Sequence, residues 1–305
     1  MEILEKAWEI PEPLSVHEIS MKDGAKIILR RHGNPEGIRL ILCHGNGLAS
    51  DLYYPFWCML MDDFDLIVYD LRNHGWNPSS SIRHHNVPMF IRDQDYITKE
   101  IDKHYGKKLQ IGIFHSISAM AALLSPTKAE AFSALVLFDP PICSPGRSYA
   151  DFEAATQSMA GLTRIRTSHF RNKGEFEELL PYSPTFQHVM PGIYKLIAET
   201  TLRKSADGGE GYELCCPPEY EAQIIDYASN FAVLVDFSEI RCPMKVIGAD
   251  PTLPFSYLPT FDLTNVVRAN YDFLPGTTHL LQLEQPEECV VTMRDFLEHH
   301  DLWNP

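Results

Sequence analysis

The segment Leu109–Ser125, LQIGIFHSISAMAALLS, places one serine in a context suited to nucleophilic chemistry. An apolar run leads to Ser116 and continues into a stretch of small residues, which predicts a strand, a sharp turn and a helix. Such a turn lifts the hydroxyl clear of the backbone, and the positive N-terminal end of the helix stabilises an oxyanion beside it. Ser116 is therefore predicted to be a nucleophile.

Two other interpretations of this segment stay open on sequence alone. Ser116 could simply cap the helix that follows it, a common role for serine at a helix start. Ser118 could be the nucleophile instead, although it lies further inside the helix and has the large Met120 two positions later. Phe114 stands where a small residue is expected, because the residues two before and two after the nucleophile approach each other. Its ring must turn aside, or its neighbours must leave room.

Two more segments carry residues that could assist a serine. The apolar run Arg39–Cys43 ends in the turn His44–Gly47, whose two glycines let the backbone itself approach a substrate. Near the C-terminus, residues 272–297 place His279 on a Gly-Thr-Thr turn, between a predicted strand and a predicted amphipathic helix. The other histidines lack a comparable context, so His279 is the candidate general base.

In this order and spacing, the three segments resemble the α/β-hydrolase family, from about Lys26 to Leu297. The family's elbow is usually G-x-S-x-G, so Phe114 is a departure from it. The resemblance implies Ser116 as nucleophile and His279 as base, with an oxyanion hole formed by two backbone amides. The amides implied are those of Ile117 and of Asn46 or Gly47. It also implies that no metal or organic cofactor is required.

The family's strand-following D-x-R-G-H-G-x-S loop has a similar stretch here, LIVYDLRNHGWNPSS, residues 66–80. We interpret Asp70, Arg72 and His74 in this stretch as residues that brace the loop. The departure from the family pattern is Asn73 in place of glycine. Direct chemistry is not expected from any of these side chains.

The acid that would orient His279 has two candidates. Asp250 ends the seventh predicted strand, where the family most often carries its acid, but the spacing Gly248-Ala249-Asp250 is one residue shorter than the usual form. Asp139 ends the sixth predicted strand, where a minority of the family carries its acid. Both preserve the chain order of serine, acid and histidine. We favour Asp250 and keep Asp139 as the alternative.

The elements that must position these residues read as a doubly wound sheet. Runs from Arg39 onward are almost continuously apolar, as in parallel strands covered on both faces, and the first two runs suggest an antiparallel edge hairpin. The predicted strands are Val16–Ser20, Lys26–Arg31, Arg39–Cys43, Leu66–Tyr69, Leu109–Phe114, Ala134–Phe138, Met244–Ile247 and Tyr271–Leu274. The expected fold is the α/β-hydrolase fold, with a mostly parallel eight-stranded sheet flanked by helices. Residues 1–140 and 242–305 would form this core, and residues 141–241 a helical cap.

Composition narrows the possible partners. The net charge of −15 argues against nucleic acid, since phosphate binding needs clustered Lys and Arg, and gives no support to docking on anionic membranes. Seven cysteines without a CxxC pair argue against structural zinc or a disulfide framework. The charged N-terminus lacks the apolar run of a signal peptide, so a cytoplasmic location is expected. Oligomeric state is not predicted.

The expected reaction is hydrolysis of a small-molecule ester. A cap rich in aromatic and aliphatic residues favours a carboxylic ester or lactone with an apolar or aromatic portion. Thioesters and carbon–carbon bonds are cleaved by the same constellation of residues, so those substrates stay open. A non-catalytic ligand-binding protein on the same scaffold is the alternative from another class.

Overall fold

A computed structural model describes residues 8–205, 210–253 and 263–303. The strands are β1 (Ser15–Ser20), β2 (Lys26–Gly33), β3 (Ile38–Cys43), β4 (Phe64–Tyr69), β5 (Gln110–His115), β6 (Ala134–Phe138), β7 (His169–Phe170), β8 (Leu202–Lys204), β9 (Tyr212–Leu214), β10 (Met244–Gly248) and β11 (Asp272–Phe273). The helices are α1 (Tyr54–Trp57), α2 (Val87–Tyr105), α3 (Ile117–Leu123), α4 (Arg147–Arg164), α5 (Lys173–Glu177), α6 (Ile193–Thr201), α7 (Pro218–Ala232), α8 (Leu263–Arg268), α9 (Leu281–Glu284) and α10 (Pro286–His299).

Eight of these strands form one sheet in the order β1-β2-β4-β3-β5-β6-β10-β11. β2 pairs antiparallel with both β1 and β4. The other strands of this sheet, β4, β3, β5, β6, β10 and β11, pair parallel with their neighbours. The predicted eight-stranded, mostly parallel sheet with an antiparallel edge hairpin is therefore present. The last predicted strand is shorter than expected, since β11 has two residues.

Helices cover both faces of the sheet, which explains the continuous apolar runs. Alternate strand residues such as Leu40 and Leu42 pack with one helical layer, which includes α1 and α10. Their neighbours Ile41 and Cys43 pack with the opposite layer, which includes α2 and α3. Because successive side chains point to opposite faces, a strand between two layers needs apolar residues at every position.

The sheet changes winding direction at β3, whose neighbours are β4 on one side and β5 on the other. Loops that leave the carboxyl ends of β3 and β5 therefore diverge and leave a crevice between them, where ligands bind in open α/β sheets. Cys43 at the end of β3 pairs with Phe114 in β5. The turn His44–Gly47, called the β3 loop from here on, thus lies beside Ser116.

The segment between β6 and β10, where a helical cap is predicted, contains α4 to α7. It also contains β7, β9 and β8, which form a small antiparallel sheet that the sequence analysis did not predict. These strands have only two or three residues each, too short for a periodic pattern to stand out. Within the described ranges, no helix has both the length and the apolar character needed to cross a membrane.

Candidate active site

Ser116 occupies the turn between β5 and α3, as predicted. Its backbone has φ 55° and ψ −120°, a conformation that costs energy for any residue other than glycine and that is frequent at functional sites. The Ser116 amide donates to the Phe138 carbonyl (2.9 Å), which ties the turn to the end of β6. The side chain makes no capping hydrogen bond to α3. The interpretation of Ser116 as a simple helix cap is therefore wrong.

Phe114 is accommodated because its ring turns into the core behind the elbow. The side chain is fully buried and packs edge-on against Phe132, with ring centroids 5.7 Å apart. The space comes from Gly112, where an added Cβ would lie 2.5 Å from the Phe114 ring. The family places a glycine two positions before the serine. In this chain Phe114 occupies that position, and Gly112 leaves room for its ring.

Ser118, the alternative nucleophile, is used structurally. Its hydroxyl oxygen accepts the His115 amide (3.1 Å) and lies within hydrogen-bond distance of two carbonyl oxygens, those of Cys43 (3.0 Å) and His115 (2.9 Å). The side chain is buried, with 1% of its surface exposed. Ser118 therefore joins the elbow to the end of β3.

His279 connects Ser116 to a buried carboxylate. Its Nε2 lies 2.9 Å from Ser116 Oγ, and its Nδ1 lies 2.6 Å from Asp139 Oδ2. The other Asp139 oxygen accepts the Ala249 amide (3.1 Å). Because a carboxylate accepts at Nδ1, the ring proton resides there, and Nε2 is left as the acceptor for the serine hydroxyl. Hydrogen bonds thus join the three side chains in the order Ser116, His279, Asp139.

The preference for Asp250 as the acid is wrong on this geometry. Asp250 Oδ2 accepts the Gly276 amide (2.7 Å), and Oδ1 accepts the amide and hydroxyl of Thr252 (2.8 and 2.6 Å). These hydrogen bonds, led by the one from Gly276, lower the pKa of Asp250. Asp250 thus orders the turn that precedes His279 and does not contact the ring.

Strand register explains why Asp139 is the residue that reaches His279. Phe138 pairs with His115 on one side and with Ile247 on the other, so Asp139 is the first residue beyond the strand end, next to the elbow. Asp250 comes two residues after β10 ends, one strand further from Ser116. The segment Gly248-Ala249-Asp250 is one residue shorter than the family's usual form, and in this chain His279 binds Asp139 instead of Asp250.

The β3 loop touches the elbow directly. A Cβ added to Gly45 would lie 3.0 Å from Ser116 Cβ and 2.6 Å from His115 Nδ1, so only glycine fits there. The Gly47 amide donates to His74 Nε2 (3.0 Å) and is therefore already engaged. No hydrogen bond joins the Asn46 or Ile117 amide to another residue of the described ranges. Of the predicted oxyanion donors, Asn46 and Ile117 are available and Gly47 is not.

Buried charges and imidazoles brace this loop. His44 Nε2 accepts the Leu71 amide (3.0 Å), and Asp70 accepts the Ser50 amide (2.7 Å) and pairs with Arg30 (2.8 Å). Burial acts to raise the pKa of Asp70, but the Arg30 guanidinium, His44 and the Ser50 amide together outweigh it and hold that pKa at about 2. Arg72 forms a bidentate pair with Asp93, at 2.7 and 2.8 Å.

His74 connects that network to the β3 loop. Its Nδ1–H donates to the Arg72 carbonyl (2.9 Å), so Nε2 is free to accept from Gly47. Burial lowers the pKa of His74 to about 3, and the ring stays neutral. Asp70, Arg72 and His74 thus occupy the bracing positions that the sequence analysis assigned to them.

A second contact, which the sequence does not predict, holds the His279 loop. His115 Nε2 lies 2.8 Å from the His279 carbonyl, which can only accept, so the proton is on Nε2. The Tyr53 hydroxyl then donates to His115 Nδ1 (2.7 Å). Burial lowers the pKa of His115 well below its usual value. Its position next to Ser116 was the available signal, but nothing in the sequence pointed to Tyr53.

Comparisons with known proteins agree with this architecture. A family model described as "Alpha/beta hydrolase family" matches residues 40–292. No curated protein matches the chain. Among solved structures, E-2-(acetamidomethylene)succinate hydrolase is similar with a TM-score of 0.70 and 15% identity, over 93% of this chain and 99% of that one.

Two further solved structures show the same fold. The thioesterase domain from the curacin biosynthetic pathway is similar with a TM-score of 0.66 and 13% identity, over 93% of this chain and 99% of that one. A thermophilic esterase from Thermogutta terrifontis has a TM-score of 0.63 and 18% identity, over 94% of this chain and 99% of that one. Because the family model spans most of the sequence, the chain belongs to the alpha/beta hydrolase family.

Proposed function

We propose that this chain is a serine hydrolase that cleaves a carboxylic ester or lactone with an apolar or aromatic portion. The observation that carries the proposal is the continuous hydrogen-bonded path from Ser116 through His279 to the buried Asp139, with distances of 2.9 and 2.6 Å. A serine held in a strained turn, with an imidazole nitrogen at hydrogen-bond distance from its hydroxyl, is the arrangement that activates an oxygen nucleophile.

The mechanism follows from the placement of the protons. His279 Nε2 takes the Ser116 proton as the hydroxyl oxygen attacks the acyl carbon, and Asp139 stabilises the imidazolium that forms. The Asn46 and Ile117 amides donate to the tetrahedral oxyanion, each contributing about 3 kcal/mol. His279 then protonates the departing alcohol, which leaves an acyl-enzyme. The same ring activates water to release the acid and restore Ser116.

Support for the substrate class comes from the segment between β6 and β10. It leaves the sheet directly after Asp139, and the Asn46 side chain donates to the Glu221 carbonyl in α7 (2.8 Å), so the segment contacts the β3 loop. Its aromatic residues include Phe152, Phe170, Phe176, Tyr182, Phe186, Tyr194 and Tyr220. We assign it the role of a cap that selects the apolar part of the substrate. The likeness to a thioesterase domain makes a thioester the second candidate substrate.

The proposal is tested by active-site labelling. The intact mass of the protein is measured after exposure to a fluorophosphonate, for the wild type, Ser116→Ala and the matched control Ser118→Ala. One adduct is expected in the wild type and the control, and none in Ser116→Ala. Absence of an adduct in a folded wild type would contradict the proposal.

Turnover separates a hydrolase from a binding protein. The same three proteins are assayed with p-nitrophenyl esters of about two to twelve acyl carbons and with a matched thioester, because pocket contacts change by about 1–3 kcal/mol per methylene. Ester turnover lost in Ser116→Ala supports hydrolysis, and the chain-length profile measures the acyl pocket. An adduct without turnover of any ester would instead support a non-catalytic ligand-binding protein.

A further inference from the structure

Two histidines and a cysteine meet where α7 contacts the β3 loop. His74, His85 and Cys216, called the histidine–cysteine cluster below, each offer one ligand atom, and these atoms lie within 4.8 Å of one another. All three residues are buried. Zn²⁺ bonds of about 2.0–2.3 Å place tetrahedral ligand atoms roughly 3.3–3.8 Å apart. Closing the cluster on an ion therefore takes adjustments on the order of 1 Å and a rotation of the His74 and His85 rings, which are stacked with centroids 5.6 Å apart.

We propose that the histidine–cysteine cluster is a binding site for a thiophilic divalent cation. Two imidazole nitrogens and one thiolate form a borderline-soft donor set, which suits Zn²⁺ and Cu²⁺ among the divalent metals. Three protein ligands leave a fourth position open. The Glu221 carboxylate, which pairs with Arg166, lies beside Gly47, whose amide binds His74.

His74 already has the protonation state of a metal ligand. Its Nδ1–H donates to the Arg72 carbonyl (2.9 Å), the kind of outer contact that usually orients metal-bound histidines. The lone pair on Nε2 therefore points away from that contact and accepts the Gly47 amide (3.0 Å). An ion bound at Nε2 takes the place of this amide.

His85 has a buried ring nitrogen with no hydrogen-bond partner in the described ranges, Nε2. Its Nδ1 accepts from the Asn73 side-chain amide (2.9 Å), so the proton of the neutral ring is on Nε2. The Asn73 carboxamide cannot simply turn over, because its oxygen accepts both the amide and the hydroxyl of Ser80. Binding at Nε2 therefore requires the ring proton to move to Nδ1, against Asn73.

Cys216 supplies the third ligand as a thiolate. Formation of the metal–sulfur bond breaks the S–H bond, and one proton per ion is released to solvent. The two imidazoles stay neutral, because the His85 proton only changes ring nitrogens. Affinity should therefore rise about tenfold per pH unit while the thiol remains protonated in the free protein.

Occupancy would also alter the β3 loop. The ion displaces the Gly47 amide from His74, and Gly47 follows the proposed oxyanion donor Asn46 directly in the chain. The ion is therefore expected to inhibit hydrolysis. This consequence rests on the proposed function, whereas binding of the ion does not depend on it.

The test measures binding without activity. Co²⁺ is titrated into the full-length wild type, Cys216→Ser and Cys215→Ser, and the thiolate-to-cobalt absorption band is recorded, with Zn²⁺ competition to obtain the affinity for zinc. Cys215 is a buried neighbour outside the cluster and serves as the matched control. In the wild type and in Cys215→Ser, the band is expected to saturate at one Co²⁺ per chain. In Cys216→Ser, no band is expected. Circular dichroism verifies that each variant is folded.

Asn73 provides a gain-of-affinity test. Asn73→Asp retains an acceptor for Ser80 and replaces the amide donor facing His85 with a carboxylate, which accepts Nδ1–H and leaves the Nε2 lone pair for the ion. Asp also tolerates the positive φ of 65° at this position. Affinity for Zn²⁺ should rise by about 10- to 100-fold, the usual effect of an outer-sphere carboxylate.

Several results would overturn the proposal. These are a cobalt band that persists in Cys216→Ser, absence of a band in both the wild type and Asn73→Asp, or an affinity that Asn73→Asp does not increase. Should Cys216→Ser fail to fold, His85→Phe removes a different ligand and must abolish the band. Zinc inhibition that survives in Cys216→Ser would place the inhibitory ion elsewhere, for example on His279. Fluorophosphonate labelling decides separately whether Ser116 is an activated nucleophile.

Discussion

Two strand ends in this molecule carry an aspartate, and they do different things. Asp139 follows β6, is 1% exposed and binds His279 Nδ1. Asp250 follows β10; it accepts the Gly276 amide in the turn before His279 and the amide and hydroxyl of Thr252 in its own turn. One carboxylate thus orients the imidazole, and the other shapes the loop from which the imidazole projects.

The position of an acid at a strand end does not by itself assign its role. Both residues end parallel neighbours in the same sheet and both lie close to the His279 loop. What separates them is one strand spacing and one residue of loop length. A hydrogen bond to an imidazole tolerates little displacement, so a shift of that size changes the partner completely.

The largest expected effect comes from Asp139→Asn. An amide at this position no longer fixes the His279 tautomer or stabilises the imidazolium, so kcat should fall by about 10⁴-fold. Asp250→Asn keeps an acceptor for Gly276 and should lower kcat/KM by at most about 10-fold. Steady-state ester hydrolysis measures both. If Asp250→Asn were the more damaging change, the assignment of the acid would be reversed.

Acid should destabilise the protein through buried histidines before it protonates Asp250. Burial lowers the pKa of His74 from 6.5 to about 3 and that of His85 to about 2. The unfolded chain therefore binds more protons, and the free energy of unfolding should fall by about 1.4 kcal/mol per pH unit for each ring below pH 6.5.

Asp250 acts in the same direction at lower pH. Its pKa is lowered from 3.8, so its contribution to stability is present above pH 3.8 and is lost as the pH falls through the folded-state value. Urea unfolding from pH 8 to pH 4 tests the histidine phase. A free energy of unfolding that stays constant between pH 6.5 and pH 4 would contradict it.

A smaller effect on activity is expected from Asp250→Ala. This variant removes the acceptor of the Gly276 amide, so the turn before His279 should lose order and kcat/KM should fall by about 10- to 100-fold. Hydrogen exchange at Gly276 and Thr277 should accelerate, while the β6 strand should exchange as in the wild type. Equal acceleration in both places would mean that Asp250 supports the whole sheet.

The smallest effect should come from Tyr53→Phe. This variant tests the contact in which Tyr53 supports His115, which in turn binds the His279 carbonyl. The change leaves the buried His115 Nδ1 without its donor, at a cost of about 1–3 kcal/mol in the free energy of unfolding. Because the His115–His279 carbonyl bond remains, hydrolysis should change by less than about 10-fold. Urea unfolding and ester assays are the measurements, and unchanged stability would argue against the Tyr53–His115 bond.

Most of the sheet could be predicted because strands that are buried on both faces have apolar residues at nearly every position. Continuous apolar runs marked the parallel strands, and the alternation in the first two runs marked the edge hairpin. The strands β7 to β9 could not be predicted, because two or three residues are too few to establish a period. The large ring at Phe114 is evident in the sequence, but its fit depends on Gly112 and on Phe132, which lies beyond the elbow segment.

Residues adjacent in the chain encode the family pattern, the strand–serine–helix segment and the histidine turn near the C-terminus, so these features can be read from the sequence. The choice of Asp139 over Asp250, the bond between the Gly47 amide and His74, and the approach of His85 to Cys216 arise only when the chain folds. Gly47 and His74 are 27 positions apart, and Asp139 and His279 are 140 positions apart. Strand register and loop packing bring each pair together. A hydrogen bond depends on distances of a few tenths of an ångström, and spacing along one chain does not record them.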